Sequence, residues 1–249
     1  MAIITLTTDF GSRDGYVGAM KGVIARLAPD VTIVDIAHDI PRGDIAHAAW
    51  VVATSTLEFP HGTIHVVVVD PGVGGERRGV IAQVTVGAPR GAQFYVGPDN
   101  GLFAYLPVNR VWLIDPRKLG KVSPTFHGRD VFAPVAASIA KQHAEFYGEN
   151  TKLVGRLPWD TAGHHIVHVD AYGNLVTNLR VDTPPSVVAI AGTRIPVVHT
   201  YESVKVGELL AYIGSQNTIE IAVREGRADT KLGVTRGAIV ALDPKGVFR

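Results

Sequence analysis

The chain has 249 residues, 46% of them hydrophobic, with 24 lysines and arginines against 23 aspartates and glutamates and a formal net charge of +1. This length can bury a full core in one large or two modest domains, and the balanced charge supplies no field for nucleic acid or an anionic membrane, so a small molecule is the expected partner. Cysteine is absent, which excludes disulfide frameworks, thiolate zinc sites and cysteine nucleophiles.

The start, MAIITLTTDFGS, carries no basic segment ahead of its apolar run, and no apolar stretch reaches the roughly 20 residues of a membrane helix. A soluble, cytoplasmic protein is expected. Residues 2–8 read as a buried strand that stops at Asp9, and residues 15–27 repeat apolar positions at helical spacing. VTIVDIA then reads as a strand, DIAHAAWVVATSTL as a helix and TIHVVVVD as a strand. VIAQVTV and QFYVGPD read as a hairpin around GAPRGA, NGLFAYL as a helix, RVWLID as a strand, and residues 129–146 as a long helix with Pro134 in its first turns.

Strands alternating with helices predict a doubly wound, mostly parallel, Rossmann-like sheet over residues 1–150. A Gly- and Pro-rich linker is expected over 151–164, followed by a smaller mostly-β domain over 165–249 in which KVGELL is the one helical turn.

Ligands of open parallel sheets bind beyond the carboxyl ends of the strands. Asp9, Asp35, Asp70, Asp99 and Asp115 each close a predicted strand. Asp35 and Asp115 are read as turn or cap residues. Asp70 stands apart because PGVGGERR follows it: a fixed proline turn, three glycines, then Arg77 and Arg78 within one loop's reach. The segment matches neither a P-loop nor a dinucleotide fingerprint, which leaves a loop that poises a carboxylate against a guanidinium. His127, in PTFHGRDVFAP, enters a helix N-terminus, where the positive end of the dipole disfavours imidazolium; satisfaction by Asp130 is the structural alternative. No HExxH occurs, His164, His165 and His168 have no zinc-site spacing, and no GxSxG supports a serine nucleophile. No metal or cofactor is expected.

Taken in order, TDFG with DGYVGAMKG, VDPGVGGERR, GPDNG, TFHGRD with FAP, VDAYGNLVTN and GSQNTIEIAVREG resemble the S-adenosylmethionine hydroxide adenosyltransferase family, which is related to fluorinating and chlorinating enzymes. The resemblance spans nearly the whole chain. It implies an α/β domain followed by a β domain, a homotrimer with sites between subunits, and attack of water-derived hydroxide on the 5′ carbon of S-adenosylmethionine to give adenosine and methionine. It also implies a triad of Asp70, Arg77 and His127, with Asp70 and His127 orienting the water and taking its proton while Arg77 stabilises the oxyanion. By the same resemblance Asp9 holds the ribose hydroxyls, Trp50 and Phe126 are pocket aromatics, Asp170 meets the methionine amine and Asn174 the adenine edge beside Tyr172. Ser215 with Gln216 meets the methionine carboxylate, and Arg224 lies near the adenine.

Where halogenating relatives carry Tyr, Thr and Ser near the halide, this chain has Asp70, Val73 and Gly128, which favours hydroxide. Two alternatives stay open. One is halide-dependent adenosyl transfer, with Gly128 leaving room for a larger anion; the other is a non-catalytic S-adenosylmethionine or adenosine binder.

Overall fold

The protein is described from a computed structural model covering residues 2–87, 91–143, 145–158, 163–181 and 183–242. The chain divides into two compact units, Met1–Leu157 and Pro158–Arg249. The first runs β1 (Ile3–Thr8), α1 (Tyr16–Leu27), β2 (Thr32–Ala37), α2 (Ile45–Ser55), β3 (Ile64–Val68), β4 (Gly79–Val86), β5 (Gly91–Pro98), β6 (Val108–Ile114), α3 (Ala133–Ala140) and β7 (Tyr147–Thr151).

Its sheet has the order β2-β1-β3-β5-β4-β6-β7. The strands from β2 to β5 pair in parallel, and β4 and β7 run against their neighbours. β3 lies in the interior of this sheet, and its apolar run packs both ways: Ile64, Val66 and Val68 enter one core, Val67 and Val69 the other. A strand covered on both faces needs apolar residues at every position, which is why VVVV appears without polar alternation. Helix α1 buries Val17, Met20 and Ile24 along one stripe, and α2 starts where the Asp44 side chain accepts the His47 N–H at 3.0 Å.

Three expected elements differ. The long helix over 129–146 is instead a wide turn, Gly128–Phe132, running into α3, which ends at Ala140. There Gln142 adopts φ 61 and its N–H returns to the Ile139 carbonyl at 2.8 Å, closing the chain off; Ala144 lies outside the described residues. NGLFAYL forms successive turns, Ala104 N–H to Gly101 and Leu106 N–H to Phe103, both 3.1 Å, because Leu102, Phe103 and Leu106 are all drawn into the core. Only the first residue of the expected linker, Thr151, belongs to strand β7, which pairs with β6; residues 159–162 of that linker and Ala88, Pro89 and Arg90 of the GAPRGA turn lie outside the described residues. VIAQVTV and QFYVGPD do form the antiparallel pair β4 and β5.

The second unit contains β8 (Ile166–Val169), β9 (Leu175–Thr177), β10 (Val187–Ile190), β11 (Thr193–Pro196), β12 (Leu209–Ile213), β13 (Ile219–Val223), α4 (Ala228–Leu232) and β14 (Ala241–Leu242). The strands form two small sheets, β11-β10-β14 and β12-β13-β9-β8, with antiparallel pairing throughout. Ile166, Leu175, Val188, Ile195, Ile219 and Ile221 share one core. KVGELL is not a helical turn: Lys205–Glu208 makes a tight turn with Gly207 at φ 80, and Leu209 already belongs to β12. The short helix α4 is held by the Gly173 carbonyl, which accepts the N–H groups of Ala228 and Asp229 at 3.1 Å. Among the described residues no helix is long and apolar enough to cross a membrane.

Candidate active site

After β1 the chain crosses to β2 on one side, while β3 joins β1 on the other, so strand order reverses between β1 and β3. Parallel pairing sets Thr8 opposite Val68, and Asp9 and Asp70 therefore emerge at one edge, at the switch point where open α/β sheets bind ligands. A cavity of about 590 Å³ opens there, lined by Asp9, Asp14, Tyr16, Arg42, Asp70 and Val73 among others. Counting Arg77, which pairs with Asp70, three carboxylates face two guanidiniums, a surplus of one negative charge that suits a cation. The Gly43 N–H donates to Asp9 Oδ2 at 2.8 Å, and the other oxygen, Oδ1, is not held by that contact.

Asp70 is gripped from below. Arg77 Nε donates to its two carboxylate oxygens at 3.0 and 2.9 Å, and Nη2 donates to Oδ2 at 2.5 Å. The same Nη2 lies 2.5 Å from His127 Nδ1. A guanidinium has no acceptor, so Nδ1 must accept and the imidazole proton must sit on Nε2. Burial first, then the charge of Arg77, hold His127 below its ordinary value of 6.5. The sequence expectation of a neutral histidine is met, with burial and the Arg77 charge as its causes. Asp130 is occupied elsewhere, accepting from Ser123 N–H at 2.9 Å and from Arg129.

The loop that brings Arg77 to His127 depends on Gly74: its φ is 77, and a Cβ there would overlap the Pro124 carbonyl. Arg77 and His127 line a second cavity of about 580 Å³, walled by Leu113, Leu119, Val122 and Val131, whereas Asp70 lines the first. The cluster is polarised, with its carboxylate toward one cavity and its imidazole toward the other.

Arg78, one residue on, goes the opposite way. It pairs with Asp99, whose side chain is 1% exposed, and donates to the Lys152 carbonyl at 2.8 Å. Asp99 also accepts the N–H groups of Val154 and Gly155 at 3.1 and 3.0 Å, so this pair fastens the chain beyond β7. Asp115 caps its own turn by accepting Arg117 N–H at 3.0 Å, and Asp35 pairs with Lys21 and His38.

Phe126 packs edge-on behind Phe10 and Tyr16, with ring centroids 6.1 and 5.3 Å away, and those two rings line the Asp9 cavity. Trp50 does not line this cavity: it is buried on α2, edge-on to Tyr105 at 5.9 Å. A side chain at Gly128 would be crowded, because a Cβ there would meet Met20 Sδ at 3.0 Å and the Phe10 ring at 3.3 Å. Tyr16, Arg42 and Asp14 escaped the sequence reading; the one signal for them was proximity in sequence to Asp9 and to the IPRGD turn.

In the second unit Asp170 holds its own turn. Oδ1 accepts the N–H groups of Tyr172 and Asn174 at 2.9 and 2.8 Å, and Oδ2 accepts Asn174 Nδ2 at 2.8 Å. Tyr172, 79% exposed, and buried Asn174 line a cavity of about 460 Å³ with Tyr201 and Val223. The pairing of β9 with β13 sets this turn at the Val223 end, beside Arg224, whose Nη1 donates to the Val204 carbonyl at 2.9 Å. Ser215 and Gln216 stand at the other end of β13, in the turn closed by Gly214 N–H to Thr218 at 2.8 Å, so a five-residue strand, about 16 Å, separates them from Arg224. Among the described residues no cluster of three or more His, Asp or Glu side chains could hold a metal.

The family model for the SAM hydroxide adenosyltransferase N-terminal domain matches residues 4–147, and that for the C-terminal domain matches residues 164–241. An (R)-S-adenosyl-L-methionine hydrolase of Thermus thermophilus is 38% identical over 261 residues, covering 97% of this chain and 100% of its own. A fluorinase of Nocardia brasiliensis is more distant, 29% identical over 163 residues and covering 55% of this chain and 54% of its own. Among solved structures, an uncharacterized conserved protein from Thermotoga maritima superimposes with a TM-score of 0.83 at 31% identity, covering 95% of this chain and 98% of that one.

Proposed function

The chain belongs to the SAM hydroxide adenosyltransferase family, and on that premise we propose that it hydrolyses S-adenosyl-L-methionine, in the (R) form that its relatives' names specify, to adenosine and L-methionine. The observation that carries the reading is the acid-lined cavity at the β1/β3 switch point, in which Asp70 is presented by Arg77 and His127. A cationic sulfonium suits the surplus negative charge of this cavity, and a thioether leaves without needing a proton, so no general acid is required.

What the reaction needs is an in-line oxygen nucleophile, because alignment supplies several kcal/mol of the barrier. Water held by Asp70 attacks the 5′ carbon; the bond from that carbon to sulfur breaks with its electron pair going to sulfur, and the water proton passes to the Asp70 carboxylate. Arg77, permanently charged, favours the developing hydroxide. His127 is not the proton acceptor in this scheme, since its one free lone pair, on Nδ1, already receives Arg77. It anchors the guanidinium instead. Asp9 accepts from the ribose hydroxyls through the oxygen not held by Gly43, and the Phe10 and Tyr16 rings, with Phe126 packed behind them, flank the nucleoside.

The residues of the second unit, Asp170, Asn174, Ser215, Gln216 and Arg224, are proposed for the methionine and adenine ends, in a homotrimer whose size light scattering would measure. The test of the reaction is incubation with S-adenosylmethionine in ¹⁸O-water, with and without halide. Adenosine carrying ¹⁸O at its 5′ oxygen is the expected product; a halogenated nucleoside, or no turnover, would refute the proposal.

A further inference from the structure

A set of contacts outside the reacting cluster runs from Asp35 through His38 and Thr8 to the backbone of the Asp9 turn, ending on the Phe10 N–H. His38 Nε2 lies 3.0 Å from Asp35 Oδ1, and His38 Nδ1 lies 2.9 Å from Thr8 Oγ1. Asp35 is paired in turn with Lys21 Nζ at 2.6 Å. Nε2 faces the Asp35 carboxylate without a well-directed hydrogen bond, while Nδ1 and the Thr8 hydroxyl share one in which either atom can be the donor. Thr8 Oγ1 also accepts the Phe10 N–H at 3.3 Å.

His38 acts on the Asp9 turn a second time through its backbone: its carbonyl accepts the Gly11 N–H at 2.8 Å. Asp9, Phe10 and Gly11 are thus held at one end through the Thr8 hydroxyl and at the other by the His38 carbonyl, while Gly43 fixes Asp9 Oδ2. The order hydroxyl, imidazole, carboxylate is that of a nucleophilic triad, but Thr8 is fully buried, at 0% exposure, and a reacting carbonyl has no path to it.

We propose that His38, with Thr8 and Asp35, is a positioning residue that sets the Asp9 carboxylate for the ribose diol. This rests on the reading of Asp9 as the diol acceptor. In the folded chain the Asp9 turn cannot rotate without breaking either the Thr8 or the Gly11 contact, so the carboxylate is oriented before the nucleoside arrives, and pre-orientation spares that ordering cost on binding.

The test measures adenosine and 2′-deoxyadenosine affinity by calorimetry alongside turnover of S-adenosylmethionine, for Thr8→Val, His38→Leu, His38→Asn and Asp35→Ala. Loss of the chain is expected to weaken adenosine about tenfold in Thr8→Val and His38→Leu, and to raise KM similarly while kcat stays within about twofold, as loss of uniform binding does. His38→Asn, whose amide oxygen can take the place of Nδ1, should restore binding to within about threefold of wild type, one hydrogen bond being preserved. The deoxy nucleoside, which lacks one hydroxyl of the diol, should lose much less.

Asp35, whose side chain is 42% exposed, can be truncated without opening the core, and Asp35→Ala should weaken adenosine about threefold. That variant keeps the inference open to refutation if the buried variants fail to fold. Adenosine affinity unchanged in Asp35→Ala, or equal losses for the two nucleosides in any folded variant, would overturn it. Wild-type protein that turns over S-adenosylmethionine while the variants keep wild-type affinity defeats this inference alone; wild-type protein without turnover defeats the proposed reaction.

Discussion

Replacing Arg77 by lysine keeps a positive charge in the loop after β3 and removes its geometry. The guanidinium spans Asp70 and His127 with one planar fork, through Nε to both carboxylate oxygens and Nη2 to Oδ2 and to His127 Nδ1. An ammonium on a flexible stem is a point donor and serves one of these partners at a time. Two charge-assisted hydrogen bonds are then lost or lengthened, each worth about 1.5–3 kcal/mol. If half of that is felt only in the transition state, the barrier rises by about 1.5–3 kcal/mol and kcat falls roughly 10- to 150-fold, with KM little changed.

The assay is chromatography of adenosine formed under saturating S-adenosylmethionine, with thermal melting to show that Arg77→Lys is folded. Arg77→Ala is the sharper structural insult, because Asp70, 3% exposed at its side chain, would be left buried and unpaired at a cost of about 3–5 kcal/mol. Asp70→Asn should recover part of that stability in the double variant. Folded Arg77→Lys with wild-type kcat would refute the bridging role.

His127 gives the pH dependence. Its lowered folded value means that the unfolded chain takes up the proton first as pH falls below 6.5, so the stability it contributes is present above 6.5 and declines as pH falls toward the folded value; protonation at Nδ1 also ejects Arg77. The acid limb of kcat should have its midpoint below 6.5, and His127→Asn, which accepts without titrating, should move it lower; an unmoved limb would count against the anchor. Gly128→Ser should destabilise by about 1–3 kcal/mol in urea unfolding, because the added atoms meet Met20 and Phe10, and chloride should still yield no halogenated nucleoside. Asp99→Ala should cost about 1–3 kcal/mol in the same unfolding assay by leaving two backbone N–H groups without their acceptor, Arg78 keeping the Lys152 carbonyl, while kcat per folded molecule holds; a selective loss of kcat would show that Asp99 belongs to the reacting cluster.

Local pattern was enough for much of this protein. The unbroken VVVV of β3 declared a strand covered on both faces, and Asp70 at its end, followed by glycines and arginines, marked the loop that carries the chemistry. Tertiary structure decided what residue type and spacing leave undetermined. Arg77 and Arg78 are adjacent and identical in sequence, yet successive side chains of an extended segment point to opposite sides, so one meets Asp70 and the other Asp99. Asp9 and Asp70 lie 61 positions apart and share a cavity because β1 and β3 pair in parallel in register. Trp50 was read as a pocket aromatic; it is 8% exposed and edge-on to Tyr105, and the residues that line the Asp9 cavity do not include it, a placement that the residue's own character does not announce. The proton on His127 is placed by Arg77, 50 positions away: sequence could nominate that histidine, and only the guanidinium folded against its Nδ1 determines which nitrogen is left to act.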